Sequence, residues 1–190
     1  MQLIIFIIFL ISSYSSPELW IVEKNSTITV KGESNINSFS CQVPSYMHTD
    51  TMLFKTQTAD GSTLVESSLR IPVEFFDCQN RHMTKDLQKT LHIDQHPYLY
   101  IKFNSFSTHP NNWKNGSKVS AKAFITISGV TKQYTVLYQI HKNQENKITL
   151  SGNQKVLFSD FKLKPPSKLG GTIRVKDELT VHITLVLSKY

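Results

Sequence analysis

From Leu19 onward, apolar and polar residues alternate with a period of two. Ser26 to Lys31 (STITVK) alternates. So do Leu69, Ile71, Val73 and Phe75 in LRIPVEF, and Leu99, Ile101 and Phe103 in LYIKF. The same spacing recurs at Tyr134, Val136, Tyr138 and Ile140 in YTVLYQI, and at Leu179, Val181, Ile183, Leu185 and Leu187 in LTVHITLVL. Successive strand side chains point to opposite faces, so each segment predicts a strand with one dry and one wet face. Asp60-Gly61, Asn115-Gly116, Ser128-Gly129 and Gly170-Gly171 separate them as turn signals.

One stretch breaks the period. In NRHMTKDLQKTL, Asn80 to Leu91, Met83, Leu87 and Leu91 fall four residues apart, on one face of a helix. Asp77 or Asn80 is placed to cap its start. His96-Pro97 discourages continuation, because a proline disfavours helical backbone at the residue before it. The chain is therefore expected to be all-β, with antiparallel strands and one short helical insertion. A set of this size must close or cover its edges, which calls for a barrel or a sandwich.

Leu3 to Ile11 (LIIFIIFLI) is the most uniformly apolar run in the sequence, followed by Ser12, Ser13, Tyr14, Ser15 and Ser16. It is too short for the roughly 20 residues that span a bilayer. It fits the apolar core of a secretory signal with small residues at the cleavage site, cut near Ser15. The expected organisation is a signal peptide over residues 1–16 and one domain over 17–190. An exported chain meets an oxidising compartment, where Cys41 and Cys78 are expected to pair. Neither cysteine has CxxC or Cys–His spacing, which argues against a metal site.

Composition narrows the rest. The 190 residues include 11 Phe and 7 Tyr, too many aromatics for a disordered chain. Two Cys exclude a disulfide-dense miniprotein and a four-thiolate zinc site. The formal charge is +7, unevenly spread: residues 1–95 hold 7 basic and 10 acidic side chains, residues 96–190 hold 14 and 4. Lys162, Lys164, Lys168, Arg174 and Lys176 crowd around Pro165-Pro166. Such a patch can attract an anionic membrane surface or a phosphate head group, and otherwise is a solvated face. Nucleic acid is not an expected partner, since export and the lack of a binding motif both speak against it.

Three stretches resemble the YceI-like family of secreted lipid- and polyisoprenoid-binding proteins. FFDCQNRHMTKDLQKTLHIDQHPYLYIKF, Phe75 to Phe103, resembles the family's strand, short helix and following strand. AFITISGVTKQYTV, Ala123 to Val136, resembles its paired strands around a GVTK turn. VLFSDFKLKPPSKLGGTIRVKDELTVHITLVL, Val156 to Leu187, resembles its SDFG stretch and last strand, with Lys162 where the family has glycine. Arg81 and Asp86 stand where the family has an Arg-Asp pair before the helix. The Cys41–Cys78 pair and the KPPSK loop resemble a branch of exported members. The resemblance spans roughly residues 20 to 188. It implies an antiparallel, lipocalin-like barrel of about eight strands whose apolar interior holds an isoprenoid chain.

An isoprenoid tail offers nothing to hydrogen-bond, so its site needs only dry wall. The expected wall is Ile28, Val30, Leu69, Ile71, Val73, Leu99, Ile101, Phe103, Tyr134, Val136, Tyr138, Val181, Ile183 and Leu185. The same residues would fill a solid core if the barrel were closed, as in a non-catalytic structural protein of the cell envelope. Met83, Leu87 and Leu91 are expected to seat the helix. His92 and His96 are spaced i, i+4, but Pro97 works against a shared helical face, and with His82 they complete no convincing metal set. Ser159, Asp160 and His182 lack the glycine frame of a nucleophile elbow. No enzyme activity and no cofactor are expected.

Overall fold

The computed structural model describes residues 17–143 and 147–190. The predicted signal peptide, residues 1–16, lies outside the described residues. The strands are β1 (Glu18–Val22), β2 (Thr27–Ser34), β3 (Ser38–Val43), β4 (Thr51–Gln57), β5 (Thr63–Ser67), β6 (Leu69–Pro72), β7 (Tyr98–Phe106), β8 (Lys118–Ile127), β9 (Val130–Lys142), β10 (Lys147–Leu157), β11 (Ser167–Lys168) and β12 (Ile173–Lys189). One helix, α1 (Arg81–Thr90), interrupts them between β6 and β7.

The strands run in the order β1-β4-β5-β7-β8-β9-β10-β12, and β12 pairs back onto β1 to close an eight-stranded antiparallel barrel. Three of its staves are broken in two. β12 is 17 residues long and carries β1 against Leu187 to Lys189 and β2 against Val175 to Thr184. β3 then pairs with β2 as β4 pairs with β1, and β5 and β6 both pair with β7. An isolated bridge, Gln42 to Asp77, ties the edge of β3 to the segment that leads into α1. The disulfide Cys41–Cys78 fastens the same two segments, as the sequence predicted.

Local chemistry accounts for the breaks. The alternation in LRIPVEF predicts strand as far as Phe75, but β6 stops at Pro72 and Val73–Phe75 forms a short 3-10 turn. Proline has no N–H to give the ladder, and the next amide, Val73 N–H, turns away to the carbonyl of Pro97 at 2.9 Å. At the β8–β9 hairpin, Ser128 (φ 47°) and Gly129 (φ 76°) take the two left-handed positions of a two-residue turn, which suits the strand twist. The Asn80 side chain caps α1, accepting from the amides of His82 and Met83. Leu87 and Leu91 are buried and Met83 packs against the core, so the helix sits on the barrel by the face its spacing predicted.

Candidate functional site

The two ends of the barrel are built differently. At the end formed by β1, β4, β5 and the late part of β7, aromatic rings fill the bore. Phe54 lies 5.5 Å from Phe106 and 5.7 Å from Trp113, ring centre to centre. Phe106 stacks on Phe103 at 5.5 Å, and Trp20 meets Phe54 edge-on at 6.3 Å. Tyr138 lies 6.3 Å from Phe103. Its ring also passes over Gly152, where an added Cβ would come within 2.8 Å of it, so only glycine leaves the ring room. The Tyr138 hydroxyl is fully buried and has no hydrogen-bond partner, and burial pushes its pKa up. These rings form a solid plug.

The other end is hollow. It holds a small cavity of about 70 Å³. Pockets that take small molecules commonly measure about 300–1,000 Å³, so a long apolar chain enters this one only as its cover moves outward. Its wall is Ile28 and Val30 from β2, Ile71 from β6, Leu99 and Ile101 from β7, Ile125 and Ile127 from β8, Val156 and Leu157 from β10, and Leu179, Val181 and Ile183 from β12. Leu87 of α1 and Leu91 just after it cover it, together with Phe76, Phe158, Phe161 and Leu163 from the connecting turns. Every one of these side chains is a hydrocarbon. Water in a buried site needs two to four polar partners, so a cavity with this wall stays dry.

The second part of the cover depends on an uncommon backbone. After a 3-10 turn at Ser159–Phe161, Lys162 adopts φ 58°, ψ 25°, the left-handed region. That residue reverses the chain tightly enough for Phe161 and Leu163 on either side of it both to face the cavity. Glycine takes this conformation without strain, whereas a lysine does not. Asp177 holds the turn from below: its carboxylate accepts from the amide of Ser159 at 2.9 Å and from the Ser159 hydroxyl. Tyr134 holds it from β9, donating its hydroxyl to Asp160 at 3.0 Å and stacking on Phe161 at 6.3 Å.

The expected wall residues divide accordingly. Ile28, Val30, Ile71, Leu99, Ile101, Val181 and Ile183 line the cavity. Leu69, Val73, Phe103, Val136, Tyr138 and Leu185 are buried in the core but do not line it, and Tyr134 serves the covering turn. Ile125, Ile127, Val156, Leu179 and the turn residues were not picked out from sequence. Of these, only Leu179 stands on a segment whose alternation the sequence showed; Ile125, Ile127 and Val156 lie on β8 and β10, and Phe158, Phe161 and Leu163 sit in a turn with no period to reveal them.

A second cleft adjoins the first. Leu87 and Phe158 line both, and the second adds Ile36, Phe39, Met83, Pro166, Ile173 and Val175, with Asn80, His82, Asp86 and Lys168 among its polar residues. Lys168 bridges Asp86 at 2.7 Å, joining α1 to the segment around β11.

The residues weighed for catalysis are not assembled. Ser159 is engaged by Asp177, Asp160 by Tyr134, and His182 by Asn153 at 2.6 Å. His92 and His96 lie beyond the end of α1. Among the described residues, no group of three His, Cys, Asp or Glu side chains gathers as a metal site.

Residues 20–187 match the family model described as the YceI-like domain. No curated protein matches the chain. Among solved structures, BcnA from Burkholderia cenocepacia is similar at 16% identity, over 85% of this chain and 95% of its own, with a TM-score of 0.63. A polyisoprenoid binding domain from Saccharophagus degradans, implicated in plant cell wall breakdown, is similar at 8% identity, over 90% of this chain and 98% of its own, with a TM-score of 0.65. At these identities the likeness is one of fold.

Proposed function

Because the chain belongs to the YceI-like domain family, we propose that it is an exported, non-enzymatic carrier that holds an isoprenoid or similar apolar lipid in the hollow end of its barrel. The observation that carries this reading is the wall itself: eighteen hydrocarbon side chains around an unfilled space, with an aromatic plug beneath it. The Saccharophagus degradans relative is described as polyisoprenoid-binding, which supports the same ligand class. The hydrophobic run at residues 3–11 and the disulfide support export to a periplasmic or extracellular location.

An upper bound on the affinity follows from full burial of the tail. A heavy atom takes roughly the share of a water molecule in the liquid, about 30 Å³, so 15 carbons need about 450 Å³, and loading requires α1 and the turn at Lys162 to move away from the cavity of about 70 Å³. At about 0.8 kcal/mol per buried carbon, that tail gains about 12 kcal/mol. An association cost at the low end of the usual range, about 4 kcal/mol, leaves about 8. That corresponds to a Kd near the micromolar range. No polar signature is required, which fits a site that has none.

The rival reading, a structural or interaction protein of the envelope with a filled barrel, draws on the packed aromatic half. Gel filtration after incubation with an isoprenoid alcohol, followed by extraction, separates the two. The wild-type protein is expected to carry the alcohol and Val181→Arg to carry none while keeping its strand content. A wild-type protein that elutes empty overturns the carrier reading.

A further inference from the structure

We infer that the hollow end of the barrel docks on an anionic lipid surface, with Ile36 and Leu169 as its apolar anchors. Ile36 is 64% exposed and Leu169 is 75% exposed. Single exposed apolar residues are ordinary, but these two are not independent of each other or of the cleft. Ile36 sits at the tip of the β2–β3 turn, where the Ser34 hydroxyl accepts from the amides of Ile36 and Asn37 at 3.2 and 3.0 Å. The turn is stitched to the chain that follows Leu169. The Asn35 amide group donates to the carbonyl of Thr172 at 2.9 Å, and its side-chain oxygen accepts from Arg174 N–H at 2.9 Å. The Asn35 backbone N–H donates to the carbonyl of Arg174 at 3.1 Å. Two loops far apart in sequence are thus tied together, with an exposed apolar residue on each. Ile36 also lines the second cleft, which shares Leu87 and Phe158 with the cavity.

The charge near the two loops selects the partner. From Lys162 to Lys176 the chain has five basic residues and no acidic one. Lys168 is paired with Asp86 and Lys176 with Glu33. Lys162, Lys164 and Arg174 form no ion pair among the described residues. Of the acidic groups that follow, Glu178 is ion-paired with Lys155, while Asp177 accepts from Ser159 and keeps its charge. Exposed apolar tips beside a stretch of chain rich in unpaired cations match a bilayer that carries negative head groups, which attracts the cations and takes up the tips. The docking surface rests on the carrier reading only for its purpose: a cargo insoluble in water leaves and enters where lipid is in contact with the cleft.

Flotation with vesicles tests it. The wild-type protein is expected to float with phosphatidylcholine vesicles containing about one-third phosphatidylglycerol, at least tenfold better than with phosphatidylcholine alone, and to be released by high salt. Ile36→Ser with Leu169→Asn is expected to lose at least tenfold of that binding with an unchanged melting curve; asparagine tolerates the left-handed backbone at Leu169 (φ 52°). Lys162→Gln with Lys164→Gln is expected to weaken binding and flatten its salt dependence. Equal binding to neutral and anionic vesicles, no vesicle binding, or wild-type binding by the Ile36/Leu169 variant each overturns the inference. Loading with an isoprenoid alcohol supplied from cyclodextrin is read in parallel. Its failure in the wild-type protein, with vesicle binding intact, would sink the carrier reading and leave the docking surface standing.

Discussion

Replacing both cysteines, Cys41→Ala with Cys78→Ala, removes the one covalent tie between the β2–β3 hairpin and the segment that delivers α1. The bridge spans 37 residues, a loop that contains β4, β5 and β6. In the chain-entropy treatment, closing a loop of that length lowers the entropy of the unfolded chain by about 13 cal/mol/K, or about 4 kcal/mol at room temperature. Alanine keeps each Cβ, and because both sulfurs are buried, the small cavity they leave adds to the loss. With a urea dependence of about 2 kcal/mol/M for a domain of this size, the midpoint of unfolding should fall by roughly 2 M. The assay is equilibrium urea unfolding of the oxidised protein and the double variant, followed by circular dichroism. A loss below about 1 kcal/mol would refute the chain-entropy reasoning. Two titratable thiols in the native exported protein would remove the bridge altogether.

Lys162→Gly should stabilise the fold by about 1 kcal/mol, since a non-glycine residue in the left-handed region costs about 1–2 kcal/mol and glycine's looser unfolded state returns part of that; thermal unfolding reads it. Asn80→Ala should cost about 1 kcal/mol by orphaning the amides that start α1, again read by unfolding. Burial raises the pKa of Tyr46, which also donates to Asp50, and burial likewise raises those of Tyr134, which donates to Asp160, and Tyr138. These groups hold their protons more tightly when folded, so their contribution is full below the ordinary tyrosine pKa of 10.0 and is lost as pH rises above it. Stability measured against pH should therefore fall above about pH 10, and Tyr138→Phe should soften that fall while costing little at neutral pH, its hydroxyl having no partner.

The fold was legible because period-two alternation and a four-residue helical spacing are both direct prints of side-chain direction. The closed barrel and its single helix follow from them and from the family resemblance. What the pattern could not convey is which half of the bore is empty. Phe103 and Tyr138 alternate on their strands just as Ile101 and Ile183 do, yet the first pair belongs to the plug and the second to the cavity wall. The difference lies in side-chain volume summed across neighbouring strands, and that sum needs the register. The strand breaks were hidden for a related reason: β1 and β2 share one edge of β12, which only the length of β12 makes possible. Phe158, Phe161 and Leu163 escaped notice because their common direction comes from the left-handed turn at Lys162, not from any spacing.

Organic extraction of the protein purified from its own exported fraction, followed by mass spectrometry, tests the central claim most directly. An apolar molecule of isoprenoid type in a fixed ratio to protein is the expected result, with Val181→Arg yielding none. Extracts free of any apolar molecule, before and after incubation with isoprenoids, would contradict it.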